Sequence, residues 1–302
     1  MIKEFIRKYL SENLGELKEH EPLANHTTLR VGGPARLLLE PRNKASLIKA
    51  IQLIKGHNIP FKVIGKGSNL LFSDELFDGV IIKTDVCLDY YTIEGDVLIA
   101  GAGVSDVKIA RELAKLGLSG LEFLSGVPGT IGGAVFMNAG AYLKEIKEIL
   151  IDVELINSEG DLIRLTKAEL DMSYRSSIFH QHPDWIILEA TIKLDVADSE
   201  EILDLIKKRK LKRKEAQPLE LPSAGSTFRN PENNAAWKLV ADAGLRGYTI
   251  GGAMVSSKHT NFVVNFEQAT ANDVMNVIKH VQKEVKRQFD LDMHQEVEFF
   301  NW

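Results

Sequence analysis

The sequence predicts an α+β protein, because segments with helical and with strand patterns follow one another without regular alternation. Apolar residues recur at helical spacing in residues 105–116 and 270–289, which predicts two amphipathic helices. An unbroken apolar run at residues 185–194 and an alternating pattern at residues 291–300 predict strands. A parallel α/β sheet requires repeated strand–helix–strand units, and this order of segments does not provide them.

The N-terminal part of the chain is predicted to contain two helices and several short strands. Ile2, Phe5 and Tyr9 are spaced as one face of a helix. A second helix is predicted over residues 44–57 and ends before Pro60, which cannot continue a helix. Short apolar runs then predict strands at residues 61–64, 80–83 and 97–100.

Capping and turn residues mark the elements in the middle of the chain. Ser105 is a candidate N-cap for the helix that follows it, and Gly117 stands where a glycine ends a helix. A hairpin is predicted around the polar turn at residues 158–161. Thr166 and Glu169 have the spacing of a capping box, which predicts a short helix.

The C-terminal third is predicted to be mostly helical before the last strand. A charged helix extends from Ser199 to about Lys214, and Pro218 lies just beyond its end. A shorter helix is predicted at residues 237–243. The basic residues at 207–214 allow two interpretations, a solvated helix face or a positive field that attracts an anionic substrate.

Charge and cysteine content exclude several classes of protein. The 302 residues carry 37 Lys and Arg against 42 Asp and Glu, a net charge of −5, which argues against a chain built to coat nucleic acid. Cys87 is the only cysteine, so an intrachain disulfide and a cysteine-based metal site are excluded. The histidines lack the spacing of a catalytic zinc motif, and no bound metal is expected.

Two segments bear on a membrane or secretory location. Charged side chains recur throughout residues 1–14 and leave no room for the apolar core of a secretory signal. Residues 123–143 contain no charged side chain and could span a bilayer by length, but glycine, proline and polar residues interrupt them. We therefore expect a soluble, cytoplasmic protein that does not insert into a membrane.

Two glycine-rich stretches are the strongest candidates for a binding site. The first is Ile64-Gly65-Lys66-Gly67-Ser68-Asn69-Leu70, and the second extends from Ser125 to Ala134. Glycine lets successive backbone N–H groups converge on an anion without obstruction by Cβ. Neither stretch matches the dinucleotide fingerprint or the Walker loop. One such stretch could equally be a hairpin turn, but two of them favour a dinucleotide held by main chain.

Three further candidates have ordinary explanations when each is considered alone. Arg175 could pair with a carboxylate substrate or be a surface arginine. Ser226 follows a glycine in a predicted turn but lacks the Gly-x-Ser-x-Gly pattern of a hydrolase nucleophile. Glu296 lies among other polar residues of the last strand, where a solvated strand face is the default interpretation.

The order and spacing of these motifs resemble the UDP-N-acetylenolpyruvoylglucosamine reductase (MurB) family. The resemblance extends from about residue 25 to residue 298. It is carried by Thr28-Leu29-Arg30-Val31-Gly32-Gly33-Pro34-Ala35, Gly65-Lys66-Gly67-Ser68-Asn69-Leu70-Leu71, residues 125–142, Tyr174-Arg175-Ser176-Ser177, Gly225-Ser226-Thr227-Phe228-Arg229-Asn230-Pro231 and the strand with Glu296. The short connection from Tyr174 to Trp185 is similar to the type II branch, which lacks a substrate-covering tyrosine loop.

The resemblance implies a flavoenzyme of cell-wall synthesis. It implies non-covalent FAD in a two-subdomain fold of the vanillyl-alcohol-oxidase (PCMH) kind, followed by a C-terminal α+β substrate-binding domain. NADPH would provide hydride to reduce UDP-N-acetyl-3-O-(1-carboxyvinyl)-glucosamine to UDP-N-acetylmuramate, a peptidoglycan precursor needed for cell shape and division. The implied domains are residues 1–84 with 291–302, residues 85–196 and residues 197–290, in a monomer or weak oligomer.

The resemblance also implies roles for individual residues. Arg175 and Glu296 would stabilise an enolate-like intermediate, which requires a raised pKa at Glu296 or a neighbouring cation, and Ser226 would protonate C2. The implied substrate contacts are Tyr174, Arg175, Lys214, Ser226 and Asn230. The implied FAD contacts are Ile64, Gly65, Lys66, Gly67, Ser68, Asn69, Leu70, Ser125, Gly126, Pro128, Gly129, Thr130, Gly132, Gly133 and Ala134.

Two alternatives remain open on the sequence. One is another FAD-dependent oxidase or dehydrogenase of the same fold, acting on an alcohol; covalent flavin would favour it, but the glycine-rich stretches contain no histidine or cysteine for such a link. The other is a binding module whose basic helix recognises nucleic acid and whose glycine-rich stretches are only turns. A colourless protein with salt-sensitive affinity for RNA or DNA would favour that module. We expect no nucleic-acid partner.

Overall fold

The computed structural model describes residues 2–302, which form two compact units. The first unit consists of residues 2–19, 37–66 and 79–210, and the second of residues 20–36, 67–78 and 211–302. Helices and strands are mixed in both units, which confirms the predicted α+β class. The division into three domains with boundaries near residues 84, 196 and 290 stays a prediction.

Seven α-helices lie in the described residues. They are α1 (Ile2–Ser11), α2 (Lys44–Gly56), α3 (Asp106–Lys115), α4 (Ile131–Phe136), α5 (Ser199–Ala216), α6 (Ala236–Asp242) and α7 (Ala271–Phe289). Short 3-10 helices lie at Leu23–His26, Glu122–Leu124, Ile146–Glu148, Lys167–Leu170 and Ile178–His180. The predicted helices are confirmed, and the short helix predicted from the capping box is the 3-10 turn at Lys167–Leu170.

Eighteen strands lie in the same part of the chain. They are β1 (Gly15–Pro22), β2 (Pro34–Pro41), β3 (Phe61–Ile64), β4 (Leu70–Phe72), β5 (Phe77–Lys83), β6 (Tyr91–Glu94), β7 (Val97–Gly101), β8 (Leu118–Ser119), β9 (Gly140–Ala141), β10 (Lys144–Glu145), β11 (Leu150–Ile156), β12 (Leu162–Thr166), β13 (Ile186–Lys193), β14 (Asp195–Val196), β15 (Thr249–Ile250), β16 (Ala253–Val255), β17 (Val263–Asn265) and β18 (Glu298–Phe300). The predicted hairpin is confirmed by the antiparallel pairing of β11 with β12.

Two larger sheets provide most of the strands of the first unit. In the five-stranded sheet, with the order β12-β11-β13-β7-β6, every neighbouring pair is antiparallel. The four-stranded order β1-β2-β5-β3 includes a parallel pair, β3 with β5. The central strand β13 is buried along most of its length, which explains why its sequence is an unbroken apolar run.

One hydrophobic core joins the helices and sheets of the first unit. Phe5 of α1, Ile51 of α2 and Ile109 of α3 belong to it, together with Ile82 of β5 and Leu188 of β13, and all are at most 1% exposed. Each helix therefore buries the apolar stripe that its spacing predicted, and burial of these side chains provides most of the stabilising free energy.

The second unit contains the antiparallel sheet β15-β16-β17 and a separate core. Helix α7 buries the predicted stripe Val274, Val277, Ile278, Val281 and Val285 in this core. The sheet has short strands, so α7 contributes a large part of the apolar surface that this unit buries.

The last strand of the second unit is shorter than predicted. Only β18 pairs as a strand, parallel to β4, with Glu298 opposite Leu70. The residues before β18 bond to an irregular segment instead, because His294 O accepts from Arg229 N at 2.9 Å and Thr227 O accepts from Glu296 N at 2.8 Å. The alternating sequence pattern correctly predicted which side chains are buried. It did not predict the segment to which the backbone of residues 294–296 is hydrogen-bonded.

The N-terminus of α7 is closed by a capping box. Thr270 Oγ1 accepts from Asp273 N at 3.0 Å, and Asp273 Oδ2 accepts from Thr270 N at 2.9 Å. The Asp74 carboxylate accepts from the next two backbone N–H groups, those of Ala271 and Asn272. These bonds satisfy donors that the helix itself cannot pair.

Replacing the capping hydroxyl is expected to destabilise the protein. We expect Thr270→Ala to lower the free energy of unfolding by about 1 kcal/mol, because the N–H of Asp273 loses its acceptor. Urea unfolding followed by circular dichroism measures this change. Thr270→Ser keeps the hydroxyl and is the matched control, so an equal loss in both variants would contradict the capping role.

Candidate functional site

The first glycine-rich stretch begins where β3 ends and packs against the second. A Cβ at Gly65 would lie 2.6 Å from Thr130 Oγ1, so the close approach at this position requires glycine. The next residue, Lys66, donates from Nζ to Ser105 Oγ at 2.5 Å. Residues 64–66, Ser105 and Thr130 are therefore brought together within the first unit.

Ser105 occupies the predicted N-cap position of α3, but its side chain does not cap the helix. The hydroxyl accepts the hydrogen bond from the Lys66 ammonium instead. The backbone of Ser105 forms an isolated antiparallel bridge with Thr130. The capping prediction was wrong about the hydroxyl because a charged donor, which makes the stronger hydrogen bond, competes for it.

The second stretch turns directly into α4. Thr130 caps this helix with Oγ1, which accepts from Gly133 N at 3.4 Å. A Cβ at Gly132 would lie 2.7 Å from the Cβ of Ala102, and Gly132 N donates to Ala102 O at 2.9 Å. Gly133 and Pro128 are exposed. The other predicted contacts in the stretch are buried or half-buried: Ser125, Gly126, Gly129 and Ala134.

Part of the glycine content is explained by the packing of the protein itself. Gly65 and Gly132 face protein atoms at distances that exclude a side chain. Gly133 differs, because it is exposed and a Cβ there would meet only Thr130 Oγ1, at an ordinary 3.6 Å. A large ligand is therefore not the only reason for the clustered glycines. The individual FAD contacts stay predictions.

Asp106, the first residue of α3, is a buried carboxyl that the sequence analysis missed. Its side chain is in the buried interior, at 1% exposure for the residue, and neither carboxyl oxygen has a hydrogen-bond partner in the described structure. A Cβ at Gly129 would lie 2.5 Å from Oδ2. Burial raises the pKa of Asp106 to about 8, and the positive charge of Lys66 opposes this rise. An aspartate at a helix start is common, so its burial could not be predicted from the sequence.

These residues fit an anionic cofactor such as the expected FAD. Lys66 supplies a cation, and the exposed backbone at Gly133 can be approached without a side chain in the way. The buried oxygens of Asp106 are unsatisfied polar atoms of the kind that a bound ligand or an ordered water completes.

The rest of the first stretch lies in the second unit. Gly67 has a left-handed backbone with φ of 61°, and a Cβ there would lie 2.1 Å from His26 O. Ser68 is half-buried, and Leu70 begins β4. Asn69 Nδ2 donates to Glu296 O at 3.0 Å. This bond joins the first stretch to the strand that carries a predicted catalytic residue.

Ser226 and Glu296 are brought next to each other in the second unit. Glu296 N donates to Thr227 O at 2.8 Å, and Thr227 directly follows Ser226 in the chain. The backbones of the two predicted catalytic residues therefore lie close together. Thr227 N donates to Asn261 O at 2.7 Å, and Asn261 Oδ1 accepts from Phe228 N at 2.9 Å. Both Ser226 and Glu296 are half-buried. The backbone is thus fixed directly after the serine.

Arg175 lies in the first unit and is held by a neighbouring hairpin. Its side chain is only 16% exposed, which excludes the interpretation as an ordinary surface arginine. Nη2 donates to Gly140 O at 2.8 Å, and Nη1 lies 3.9 Å from Glu145 Oε1. The guanidinium also lies 4.8 Å from the ring centroid of Tyr174. The backbone of Arg175 is left-handed, with φ of 54°.

Asn138 is a positioning residue that the sequence analysis did not identify. The residue is fully buried, and its Nδ2 donates to Ser173 O at 2.8 Å and to Glu145 Oε2 at 3.1 Å. Its Oδ1 accepts from Lys147 N at 3.2 Å. One side chain therefore fixes both the hairpin that contacts Arg175 and the turn that carries it. An asparagine within an uncharged, glycine-rich segment was the available signal.

Lys214 and Asn230, two residues predicted to contact the substrate, form hydrogen bonds with other residues of the second unit. Lys214 is exposed, and its carbonyl accepts from Lys258 Nζ at 2.7 Å. Asn230 is exposed, and its Oδ1 accepts from Ala236 N at 2.9 Å at the start of α6. Their contacts with a substrate stay predictions.

Membrane and metal sites were also considered. No helix among residues 2–302 has the length and apolar character needed to cross a bilayer. In the same residues no group of three or more His, Cys, Asp or Glu side chains could hold a metal ion.

Comparisons with known proteins cover both parts of the chain. A family model described as an FAD binding domain matches residues 35–166, and one described as the C-terminal domain of UDP-N-acetylenolpyruvoylglucosamine reductase matches residues 217–300. The reductase of Bacillus velezensis is 43% identical over 297 residues, 98% of each chain. The reductase of Bacillus licheniformis is 44% identical over 285 residues, 94% of each chain.

A solved structure of similar fold supports the same assignment. The crystal structure of UDP-N-acetylenolpyruvylglucosamine reductase (MurB) from Thermus caldophilus has a TM-score of 0.80 and 35% identity. The match covers 95% of this chain and 98% of the Thermus chain. The predicted fold, an FAD-binding domain followed by a C-terminal α+β domain, is confirmed. The nucleic-acid-binding alternative gains no support from these matches.

The buried carboxyl of Asp106 is expected to make the flavin-free protein less stable as pH rises. The pKa of this group is about 8 in the folded protein and near 3.8 in the unfolded chain, so folding takes up a proton between these values. Stability linked to Asp106 is therefore highest below about pH 4 and falls until about pH 8. We expect Asp106→Asn to have a higher melting temperature than the unmodified protein. The difference in melting temperature between the two proteins should be larger at pH 8 than at pH 5.

Thermal unfolding at several pH values measures this difference. Asp161→Asn, at an exposed hairpin turn, is the matched control and is expected to leave the pH dependence unchanged. Parallel stability curves for Asp106→Asn and the unmodified protein would mean that Asp106 is not a buried neutral acid.

Proposed function

Because the chain belongs to the UDP-N-acetylenolpyruvoylglucosamine reductase family, we propose that it uses NADPH to reduce the enolpyruvyl ether of a UDP-sugar to UDP-N-acetylmuramate. It is an oxidoreductase with an FAD-binding domain. The product is a precursor of peptidoglycan, and the reaction belongs to the cytoplasm, where NADPH and nucleotide-activated sugars are available. The flavin is held without a covalent bond.

The observation that carries the proposal is the hydrogen bond between Glu296 and Thr227, the residue that follows Ser226. A serine and a glutamate about seventy residues apart in sequence are joined through the bond from Glu296 N to Thr227 O. They lie within the segment matched by the C-terminal domain of the reductase family. Reduction of an enol ether needs a proton donor and a group that stabilises negative charge, and these two side chains can provide both.

When bound, FAD links oxidation of NADPH to hydride delivery at C3 of the enolpyruvyl group. The residues that would hold it are the two glycine-rich stretches, in which Lys66 and the backbone at Gly133 suit its diphosphate. Lys66 is already oriented by Ser105, so little side-chain freedom is lost on binding.

Arg175 binds the carboxylate of the enolpyruvyl group. Hydride addition at C3 places negative charge on C2 and this carboxylate, and the planar guanidinium can donate two parallel hydrogen bonds to it. The contacts with Gly140 and Tyr174 hold the guanidinium in one orientation before the substrate arrives. This preorganisation lowers the barrier because no reorganisation is needed as charge develops.

Ser226 supplies the proton that completes the reaction at C2. A serine hydroxyl is a weak acid, but the carbanionic C2 is a strong base, and a fixed hydroxyl can make the transfer. Glu296 stabilises the intermediate in its protonated form or beside a cation, since a bare carboxylate would repel the negative charge. Its backbone is anchored by Thr227 O and by Asn69 Nδ2, which fixes the position from which the side chain extends.

Three other substrate contacts complete the proposal. Tyr174 lies beside the Arg175 guanidinium and shields it from water. Asn230 and Lys214 contact the nucleotide part of the substrate.

The anaerobic absorption spectrum tests the whole assignment, because NADPH should bleach the flavin band and the enolpyruvyl UDP-sugar should restore it. A band that bleaches but does not recover would overturn the substrate.

Removing the Ser226 hydroxyl is expected to separate the two half-reactions. In Ser226→Ala, reduction by NADPH should remain near normal, while reoxidation by the enolpyruvyl UDP-sugar slows by about 10²- to 10⁴-fold because C2 is not protonated. Stopped-flow absorbance measures both rates. Ser223→Ala is the control, since only the carbonyl of Ser223 is used, as the acceptor for Thr28 Oγ1. Equal slowing of both half-reactions would make Ser226 structural.

Changing Glu296 to glutamine is expected to slow the same step. Glu296→Gln keeps the size of the side chain but cannot become a carboxylic acid, so reoxidation should fall by about 10²-fold with little change in substrate affinity. Single-turnover reoxidation at varied substrate concentration separates the two effects. Normal turnover in this variant would remove Glu296 from the mechanism.

A further inference from the structure

Two arginines of the basic segment in α5 are half-buried, Arg209 and Arg213, and Arg213 Nε donates to Gln217 Oε1 at 2.9 Å. Ile202 and Ile206 are the buried residues of this helix, and Arg209 follows Ile206 at the spacing of the same face. Arg209 is half-buried, whereas Lys208 is exposed and pairs with Asp204 at 2.6 Å. The surroundings of Arg209 therefore differ from those of the exposed lysines of the segment.

The guanidinium of Arg209 has an aromatic contact but an incomplete set of hydrogen bonds. Its Cζ lies 4.4 Å from the ring centroid of Tyr142, which fixes the plane of the group. Nη1 is buried, and no atom of the described residues accepts a hydrogen bond from it. A desolvated charged donor without an acceptor is unfavourable, so this position favours an anionic ligand that supplies one.

The hairpin that carries Tyr142 also holds Arg175. Strands β9 and β10 pair Gly140 with Glu145, and Gly140 O accepts from Arg175 Nη2. Tyr142 and Leu143 form its tip with left-handed φ values of 56° and 64°. Leu143 is completely exposed. The two arginines therefore contact one hairpin, at positions two residues apart, although they are distant in sequence.

We propose that Arg209 binds the diphosphate of the nucleotide-sugar substrate, with Nη1 donating to a phosphate oxygen. The inference rests on the proposed function, in which Arg175 binds the enolpyruvyl carboxylate. The diphosphate and the carboxylate are attached to the same sugar ring, so their binding groups must lie near one another. Tyr142 holds the Arg209 guanidinium in the orientation that this contact needs. From the sequence, Lys214 was among the predicted substrate contacts and Arg209 was not.

Binding of UDP and of uridine by the flavin-loaded protein tests the contact directly. We expect Arg209→Met, which keeps the packing of the side chain, to weaken UDP binding by about ten- to a hundredfold and to leave uridine binding unchanged. In turnover, the KM for the enolpyruvyl UDP-sugar should rise by a similar factor with little change in kcat. The rate of flavin reduction by NADPH should not change.

A matched variant separates a direct contact from a general positive field. Lys208→Met removes one charge from the same helix turn and is expected to change UDP affinity by less than about twofold, because exposed charges are screened. Equal losses in Lys208→Met and Arg209→Met would overturn the proposal. Unchanged UDP affinity in Arg209→Met would also overturn it. A loss confined to the NADPH half-reaction would assign Arg209 to a phosphate of NADPH instead.

Tyr142 provides a second test that does not depend on folding of the Arg209 variant. Tyr142 is 43% exposed, so Tyr142→Ala and Tyr142→Phe should both fold. UDP affinity should fall in the alanine variant and be retained in the phenylalanine variant, and equal affinity in both would contradict the orienting role. If the enolpyruvyl UDP-sugar fails to reoxidise the unmodified enzyme, the proposed function fails, whereas the UDP measurement still decides on Arg209.

Discussion

The first unit depends on close contacts that only glycine permits. Gly65 lies against Thr130, and Gly132 lies against Ala102, at distances that exclude a Cβ. These two contacts fix the end of β3, the start of α4 and the segment before α3 relative to one another. The charged residues Lys66 and Asp106 are located at this junction, so their environment follows from the backbone packing and not from their own interactions.

The residues assigned to chemistry share a second physical feature. Each is held through its backbone or by neighbouring backbone groups. Arg175 is held by a carbonyl oxygen of a hairpin, and Glu296 is anchored by bonds to its own N–H and C=O. The segment around Ser226 is fixed by Asn261. Interactions of this kind orient a side chain without using all of its hydrogen-bonding capacity.

Local sequence signals predicted the elements well, and they failed where distant segments meet. The stripe of α7 and the apolar run of β13 were identified because burial imposes a period that is visible in a short window. The length of the final strand was not predicted correctly, because Glu296 bonds to Thr227, about seventy residues away. For the same reason the Ser105 hydroxyl was assigned to a cap and not to Lys66.

Some residues of the candidate site were likewise predicted from the sequence and others were not. Arg175, Ser226 and Glu296 were identified from motifs whose order resembles a known family, and the structure places the last two together. The burial of Asp106 and the inward position of Arg209 were not predicted. An acidic residue at a helix start and an arginine in a basic run are ordinary at the sequence level. Only the three-dimensional arrangement shows that the Asp106 carboxyl oxygens and Arg209 Nη1 have no hydrogen-bond partner among the described residues.

The parallel pairing of β18 with β4 has a consequence for biosynthesis. Residues 298–300 pair with residues 70–72, so part of the second unit forms only after nearly the whole chain has been translated. Residues 20–36 and 67–78 emerge early and remain without their final partners during elongation. Contacts of such long sequence separation fold slowly, because a large loop must close first. This unit is therefore expected to form more slowly than a unit of contiguous sequence does.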